Sequence, residues 1–219
     1  TPLTYIRAQL QWALDDRRSA AETREALAAV GAEIEWTARM IDDLLLLARG
    51  ENRELAVARR PFGLATIVEE VAEITQLMAA ERPITVERCD TPDATALGDP
   101  GYTRQILLNL ASNAVRHAGP GTVRFEVLRQ GARVGVTVRD SGDGIAPEHL
   151  PRLFDRFYRV EASRSREHGG AGLGLAIARM LAELQTGEIT VDSAPGRGSA
   201  FTLWLTTADG DSRENPGTR

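Results

Sequence analysis

Apolar residues recur along this chain with two different periods, and the period changes near residue 50. Leu3, Ile6, Leu10 and Ala13 step by 3, 4 and 3. Leu27, Val30, Ile34, Thr37, Ile41, Leu44 and Ala48 alternate steps of 3 and 4, a heptad seam of about three repeats. Asp15-Asp16-Arg17-Arg18-Ser19 breaks the pattern as an inter-helix turn, and Gly50 predicts a helix stop. These signals predict an antiparallel helical hairpin over residues 1–50. One hairpin cannot bury an apolar stripe on both flanks. The spacing therefore predicts pairing with a second copy into a four-helix bundle; a hairpin packed on its own domain is the competing arrangement.

After residue 50 short strand patterns alternate with helical ones. Strands are expected over residues 55–62, 84–86, 94–98, 123–128, 134–138, 188–191 and 200–205, with helices over 64–80, 102–117 and 172–184. Gln130-Gly131 and Pro195-Gly196-Arg197-Gly198 mark two hairpin turns. The tail, residues 207–219, is polar with Gly, Asp and Pro, and reads as disordered. The fold class is thus α+β: an all-α hairpin, then a second domain over residues 51–206.

Composition narrows the chemistry. All 26 basic residues are Arg, so there is no Lys for a P-loop, a Schiff base or a general base. The net charge of −5, with both signs interspersed, argues against a nucleic-acid partner. The lone Cys89 excludes a disulfide framework and a Cys-based zinc site. His117, His149 and His168 are too far apart in sequence to form a His metal motif. No apolar run approaches the roughly 20 residues of a membrane span. No signal peptide opens the chain, and Thr1-Pro2-Leu3 enters a helical pattern without an initiator Met, as expected of a piece cut from a longer protein.

Three clusters carry candidate chemistry. Asn109 and Asn113 are four apart and share one helix face. Their carboxamide oxygens either ligate a hard cation such as Mg²⁺ or are solvated or capping groups. Asp140-Ser141-Gly142-Asp143-Gly144 follows a strand. It either holds a carboxylate for an exocyclic amine such as adenine's or is an ordinary strand-exit turn. Gly169-Gly170-Ala171-Gly172-Leu173-Gly174-Leu175 opens a helix, and its backbone N–H groups suit phosphates. A polar stretch precedes it rather than a strand, which argues against a dinucleotide fold. The apolar Leu173, Leu175 and Ile177 argue against a mere linker.

In order, Asn-x-x-x-Asn, Asp-x-Gly-x-Gly, Leu153-Phe154-Asp155-Arg156-Phe157-Tyr158-Arg159, Gly-x-Gly-Leu-Gly and Gly196-Arg197-Gly198-Ser199-Ala200-Phe201 resemble the five-box series of sensor histidine kinases. Thr1-Pro2-Leu3-Thr4 resembles the tail of that family's His-containing box. The resemblance covers residues 1–206. It implies an α/β-sandwich ATP domain of the GHKL (Bergerat) type after a dimeric hairpin that carries a phospho-accepting His.

The resemblance also implies roles and partners. Asn113 would be the principal Mg²⁺ ligand with Asn109 its helper, and Arg116 would contact phosphate. Asp140 would bind the adenine amine, with Gly142 and Gly144 shaping the pocket. Gly170, Gly172, Leu173, Gly174 and Leu175 would line the phosphates, under a lid of residues 159–170 whose Arg159 reaches the γ-phosphate. Thr1 matches a residue that orients water for phosphatase action. The family's acceptor His would precede Thr1, and none of the three His lies in residues 1–50. ATP and Mg²⁺ are the expected ligands. A second copy and a response-regulator receiver domain are the expected partners. The location would be cytoplasmic, with any membrane link through segments outside this chain. Another GHKL ATPase is disfavoured because Asn109 stands where hydrolytic members place a Glu base. A non-catalytic nucleotide-binding dimerisation module is the remaining alternative.

Overall fold

The computed structural model describes residues 2–15, 17–89, 94–160 and 171–208. It divides into two compact units, Thr1–Ala48 and Arg49–Arg219.

In the first unit α1 (Pro2–Ala13) is followed by α2 (Ala20–Glu51). A capping box starts α2: Glu22 N donates to Ser19 Oγ at 3.3 Å, and Ser19 N donates to Glu22 Oε2 at 2.8 Å. In the turn before it, Arg17 donates to Asp15 from its side chain and its backbone N–H, holding that carboxyl at about 2. The seam residues Leu27, Ile34 and Ile41 are half-exposed in the single chain.

Gly50 does not stop α2; the helix runs on to Glu51. The reversal comes at Arg53, whose φ is +56°, with Arg53 N on Gly50 O at 3.1 Å and Glu54 N on Arg49 O at 2.9 Å. The strand expected over 55–62 is shorter and later, β1 (Arg60–Gly63). The residues ahead of it are held by a helix rather than a sheet: Ala58 N donates to Asp99 Oδ2 at 2.9 Å and Tyr102 Oη donates to Ala56 O at 2.9 Å.

The rest of the second unit runs α3 (Leu64–Ala79), β2 (Ile84–Arg88), β3 (Thr95–Gly98), α4 (Pro100–His117), β4 (Gly121–Gln130), β5 (Arg133–Asp140), a 3-10 turn (Leu150–Arg152), α5 (Gly174–Leu184), β6 (Glu188–Ser193) and β7 (Ser199–Thr207). The seven strands form one sheet in the order β1-β3-β7-β5-β4-β2, with β6 also on β7. Only β2 and β4 run parallel. Alternation decides the two faces. Val123, Phe125, Val136, Val138, Phe201 and Leu203 are buried beneath the three helices, with Ile106, Leu107 and Leu110 of α4 and Ile177 and Leu181 of α5. Each such side chain contributes roughly 1.5–3 kcal/mol on burial. The opposite face is polar: Thr137 and Thr202 share a 2.7 Å hydroxyl bond, and Arg124 pairs with Glu87 and Arg133 with Glu188. Helices on the apolar face and a polar opposite face make this a two-layer α/β sandwich, as expected.

Candidate functional site: an acidic pocket beside an asparagine helix

The site grows from α4. Asp99 is its N-cap, accepting from Gly101 N at 2.9 Å and Tyr102 N at 3.1 Å, and Pro100 occupies the first turn. Ile106, Leu107, Leu110, Ala111 and Ala114 are buried against the sheet and the neighbouring helices, which fixes the rotation of the helix. Asn109 and Asn113 are half-buried on another stripe. Neither carboxamide makes a hydrogen bond among the described residues, and Asn109 Nδ2 is buried with no partner. Neither Asn is therefore a cap.

Asp140 ends β5 and is 3% exposed. Its Oδ1 accepts from Gly142 N at 2.9 Å and from Ser199 N at 3.3 Å. Its Oδ2 accepts no hydrogen bond among the described residues. Burial raises the Asp140 carboxyl above the ordinary carboxylate value; the two N–H donors, His117 and Arg139 pull it back down. The surrounding loops come closer than side chains allow. A Cβ on Gly142 would overlap the carbonyl oxygen of His117, and one on Gly198 would overlap Asp140 O. Gly144 and Gly198 have φ of +71° and +69°. Three stretches far apart in sequence thus meet at Asp140 because glycine lets their backbones touch.

The phosphate candidates lie on two further elements. Leu173 is buried as the N-cap of α5, and Leu175 is half-buried in its first turn. Gly174 approaches Asn109, with the Asn109 Oδ1 atom 3.7 Å from where a Gly174 Cβ would stand. The helix starts at Gly174, two residues later than its apolar pattern predicts, because Gly172 has a φ of +71°. Gly172 O accepts from Phe157 N at 3.0 Å, joining the two ends of the segment between them. Arg116 and Arg159 are exposed. Packing around the Arg116 guanidinium pushes its pKa below the ordinary value, and the like charges of Arg159 and Arg82 push the same way.

Thr1, Gly170 and the lid residues 161–170, including His168, lie outside the described residues, as does the tail from residue 209. Among the described residues no cluster of three His, Cys, Asp or Glu side chains exists that could hold a metal by itself. A cation here would draw on amide oxygens, water and a ligand's phosphates, a set that suits Mg²⁺. A separate cleft of about 250 Å³, lined by Phe154, Arg179, Glu183, Gly187, Glu188 and Ile189, contains none of the predicted site residues. Sequence reasoning missed Ser199 N on Asp140, the proximity of His117 to that carboxylate, and Arg82 beside Arg116. The dyad of turn glycines at 196 and 198 was a signal for the first of these; the other two come from tertiary packing alone.

Residues 98–209 match the histidine kinase-, DNA gyrase B- and HSP90-like ATPase family. The sensor histidine kinase CusS of Escherichia coli O157:H7 is 36% identical over 208 residues, covering 94% of this chain and 42% of that protein. The phosphate regulon sensor protein PhoR of Pseudomonas aeruginosa is 32% identical over 212 residues, covering 95% of this chain and 47% of that protein. Among solved structures, full-length ShkA in complex with AMPPNP is similar with a TM-score of 0.76 at 27% identity, over 95% of this chain and 46% of that one. The chain belongs to this ATPase family and carries its ATP-binding domain. The relatives named here are sensor histidine kinases, and the similarity to them runs over nearly the whole of this chain. The chain spans less than half the length of the curated relatives named here.

Proposed function

We propose that this chain binds Mg-ATP at the α4–Asp140 site and passes the γ-phosphoryl group to a His, for relay to an Asp of a response-regulator receiver domain. Asp140 carries the reading. A carboxylate this buried, with one oxygen held by two N–H groups and the other accepting nothing among the described residues, calls for an external donor. The exocyclic amine of adenine is such a donor.

Around that anchor Gly142 and Gly144 shape the base pocket. Asn113 and Asn109 hold Mg²⁺, which supplies charge neutralisation at the phosphates. Arg116 and Arg159 contact phosphate oxygens, which suit guanidinium groups. Gly170, Gly172, Leu173, Gly174 and Leu175 line the phosphates at the start of α5. In the transfer a P–N bond forms at the imidazole as the bond to the β-phosphate oxygen breaks, leaving ADP. Catalysis rests on positioning and charge.

The half-exposed seam of Leu27, Ile34 and Ile41 supports a homodimer through residues 1–50. Thr1 orients water for a phosphatase reaction, in which the phospho-Asp of the receiver domain is hydrolysed to Asp and inorganic phosphate. Among the described residues no helix is long and apolar enough to cross a membrane. The reading places these residues on the cytoplasmic side, where ATP and receiver domains are. The test is incubation with γ-labelled ATP. This chain has no His in residues 1–50 and should take up no acid-labile phosphate there. A form extended upstream with a His-containing segment should be labelled; a silent extended form that still binds ATP contradicts the transfer.

A further inference from the structure

Ser193 ends β6 and stands in register with Ser199, the first residue of β7. Its hydroxyl meets three groups. Ile145 N donates to Ser193 Oγ at 2.8 Å, Ser193 Oγ donates to Gly198 O at 2.8 Å, and the Ser193 and Ser199 Oγ atoms are 3.0 Å apart. A hydroxyl has one proton and two lone pairs. A carbonyl only accepts, so the Ser193 proton goes to Gly198 and the Ser199 hydroxyl donates the third bond. The bonding capacity of Ser193 Oγ is then fully used.

A serine at a strand end commonly bonds within its own turn, and the bond to Gly198 is of that kind. The bond from Ile145 is not, because Ile145 lies 48 positions away, in the loop after β5. Two further contacts join the same segments. Gly196 N donates to Asp143 O at 2.6 Å, and a Cβ on Gly144 would overlap Ala194 O. The first is made by backbone alone and the second is a close approach of two backbones. Ser193 joins the segments through a side chain, which a single substitution removes. Asp140 sits where they converge: one N–H on its Oδ1 comes from Gly142 in the loop, the other from Ser199 at the end of the turn.

We propose that Ser193 is a positioning residue for the base anchor: its hydroxyl clamps the β6–β7 turn to the loop after β5, and so keeps the Gly142 and Ser199 N–H groups on one oxygen of Asp140 and leaves the other to the nucleotide. The proposal rests on the reading of Asp140 as the contact for adenine. It gives a part in nucleotide binding to a residue ahead of the glycine turn and outside every motif that marks the site.

The experiment is calorimetric titration of the parent chain, Ser193→Ala, Ser193→Thr and Asp140→Ala with ATP and magnesium, together with amide hydrogen exchange of each without nucleotide. Ser193→Ala should weaken ATP about fivefold, and Ser193→Thr, which keeps the hydroxyl, should stay within about twofold of the parent. In Ser193→Ala the Ile145 and Ser199 amides should exchange faster, while the Leu203 amide in the middle of β7 keeps the parent's rate. A serine that merely stabilises the fold would speed all three amides alike and leave ATP affinity unchanged. Either result overturns the proposal. Should Ser193→Ala not fold, Ser193→Thr decides: a folded Thr variant with a larger loss of affinity, or with a faster Ser199 amide, contradicts it. Asp140→Ala separates the two claims. If it binds ATP as the parent does, the base-anchor reading fails; if it loses affinity while Ser193→Ala does not, the inference about Ser193 fails alone.

Discussion

Gly142 lies so close to the carbonyl oxygen of His117 that no side chain fits between them. The contact joins the loop after β5 to the last residue of α4. It therefore sets the distance between the buried carboxylate and the asparagine face.

Gly142→Ala forces that contact apart. Because the obstacle is backbone, the loop must move rather than a rotamer. ATP affinity should fall at least tenfold, roughly 1.4 kcal/mol, in a calorimetric titration. Gly196→Ala is the control: its φ is +74° but nothing stands within 4 Å, so it should cost about 1–2 kcal/mol of stability and leave affinity alone. Equal affinity losses in both variants would show that strain, not the contact, matters.

Asp99 holds the other end of α4 and the chain entering the domain at once. Asp99→Ala should cost about 0.5–2 kcal/mol for the cap, and more for the orphaned Ala58 N–H. Thermal unfolding of the ATP unit should drop by several degrees. An unchanged midpoint would mean that water replaces both partners without cost.

Asp140 makes stability depend on pH with a definite sign. Its folded pKa is raised above 3.8 by burial, so the folded state binds more protons between the unfolded and folded values. Stability is then lost as pH rises through that window, and the loss is complete above the folded value. Asp140→Asn removes the charge while its Oδ1 still accepts from Gly142 N and Ser199 N. Without nucleotide, the Asn variant should unfold later than the parent near neutral pH. The gap should close as pH falls through the carboxylate range. A gap that stays constant from acid to neutral pH contradicts the burial argument.

Ile34→Glu tests the seam. Ile34 is 53% exposed in the single chain, so the charge is tolerated unless a second copy covers it. Light scattering should change from dimer to monomer at micromolar concentration. A dimer that survives places the interface elsewhere.

The helices and most strands were legible in the sequence, because their periods report a single buried face. α3 and α4 follow their apolar spacing closely, and the hairpins about residues 131 and 196 fall where the glycines put them. What was not legible is contact-dependent. β1 begins late because Asp99 and Tyr102 hold residues 56 and 58. α2 passes Gly50 because the reversal is supplied at Arg53, which no propensity marks. The asparagines and Asp140 were legible as motifs, whereas Asn109 Nδ2 and Asp140 Oδ2, which have no partner among the described residues, show only in three dimensions.

The most direct measurement of the central claim is calorimetric titration of residues 1–219 and of Asp140→Ala with ATP and magnesium. The account predicts one ATP per chain for the parent. For Asp140→Ala it predicts at least a tenfold loss, since a hydrogen bond to a charged group contributes about 1.5–3 kcal/mol. Circular dichroism of the variant should match the parent. Equal affinity in the two proteins would contradict the assignment of Asp140 as the base anchor, and with it the site built around it.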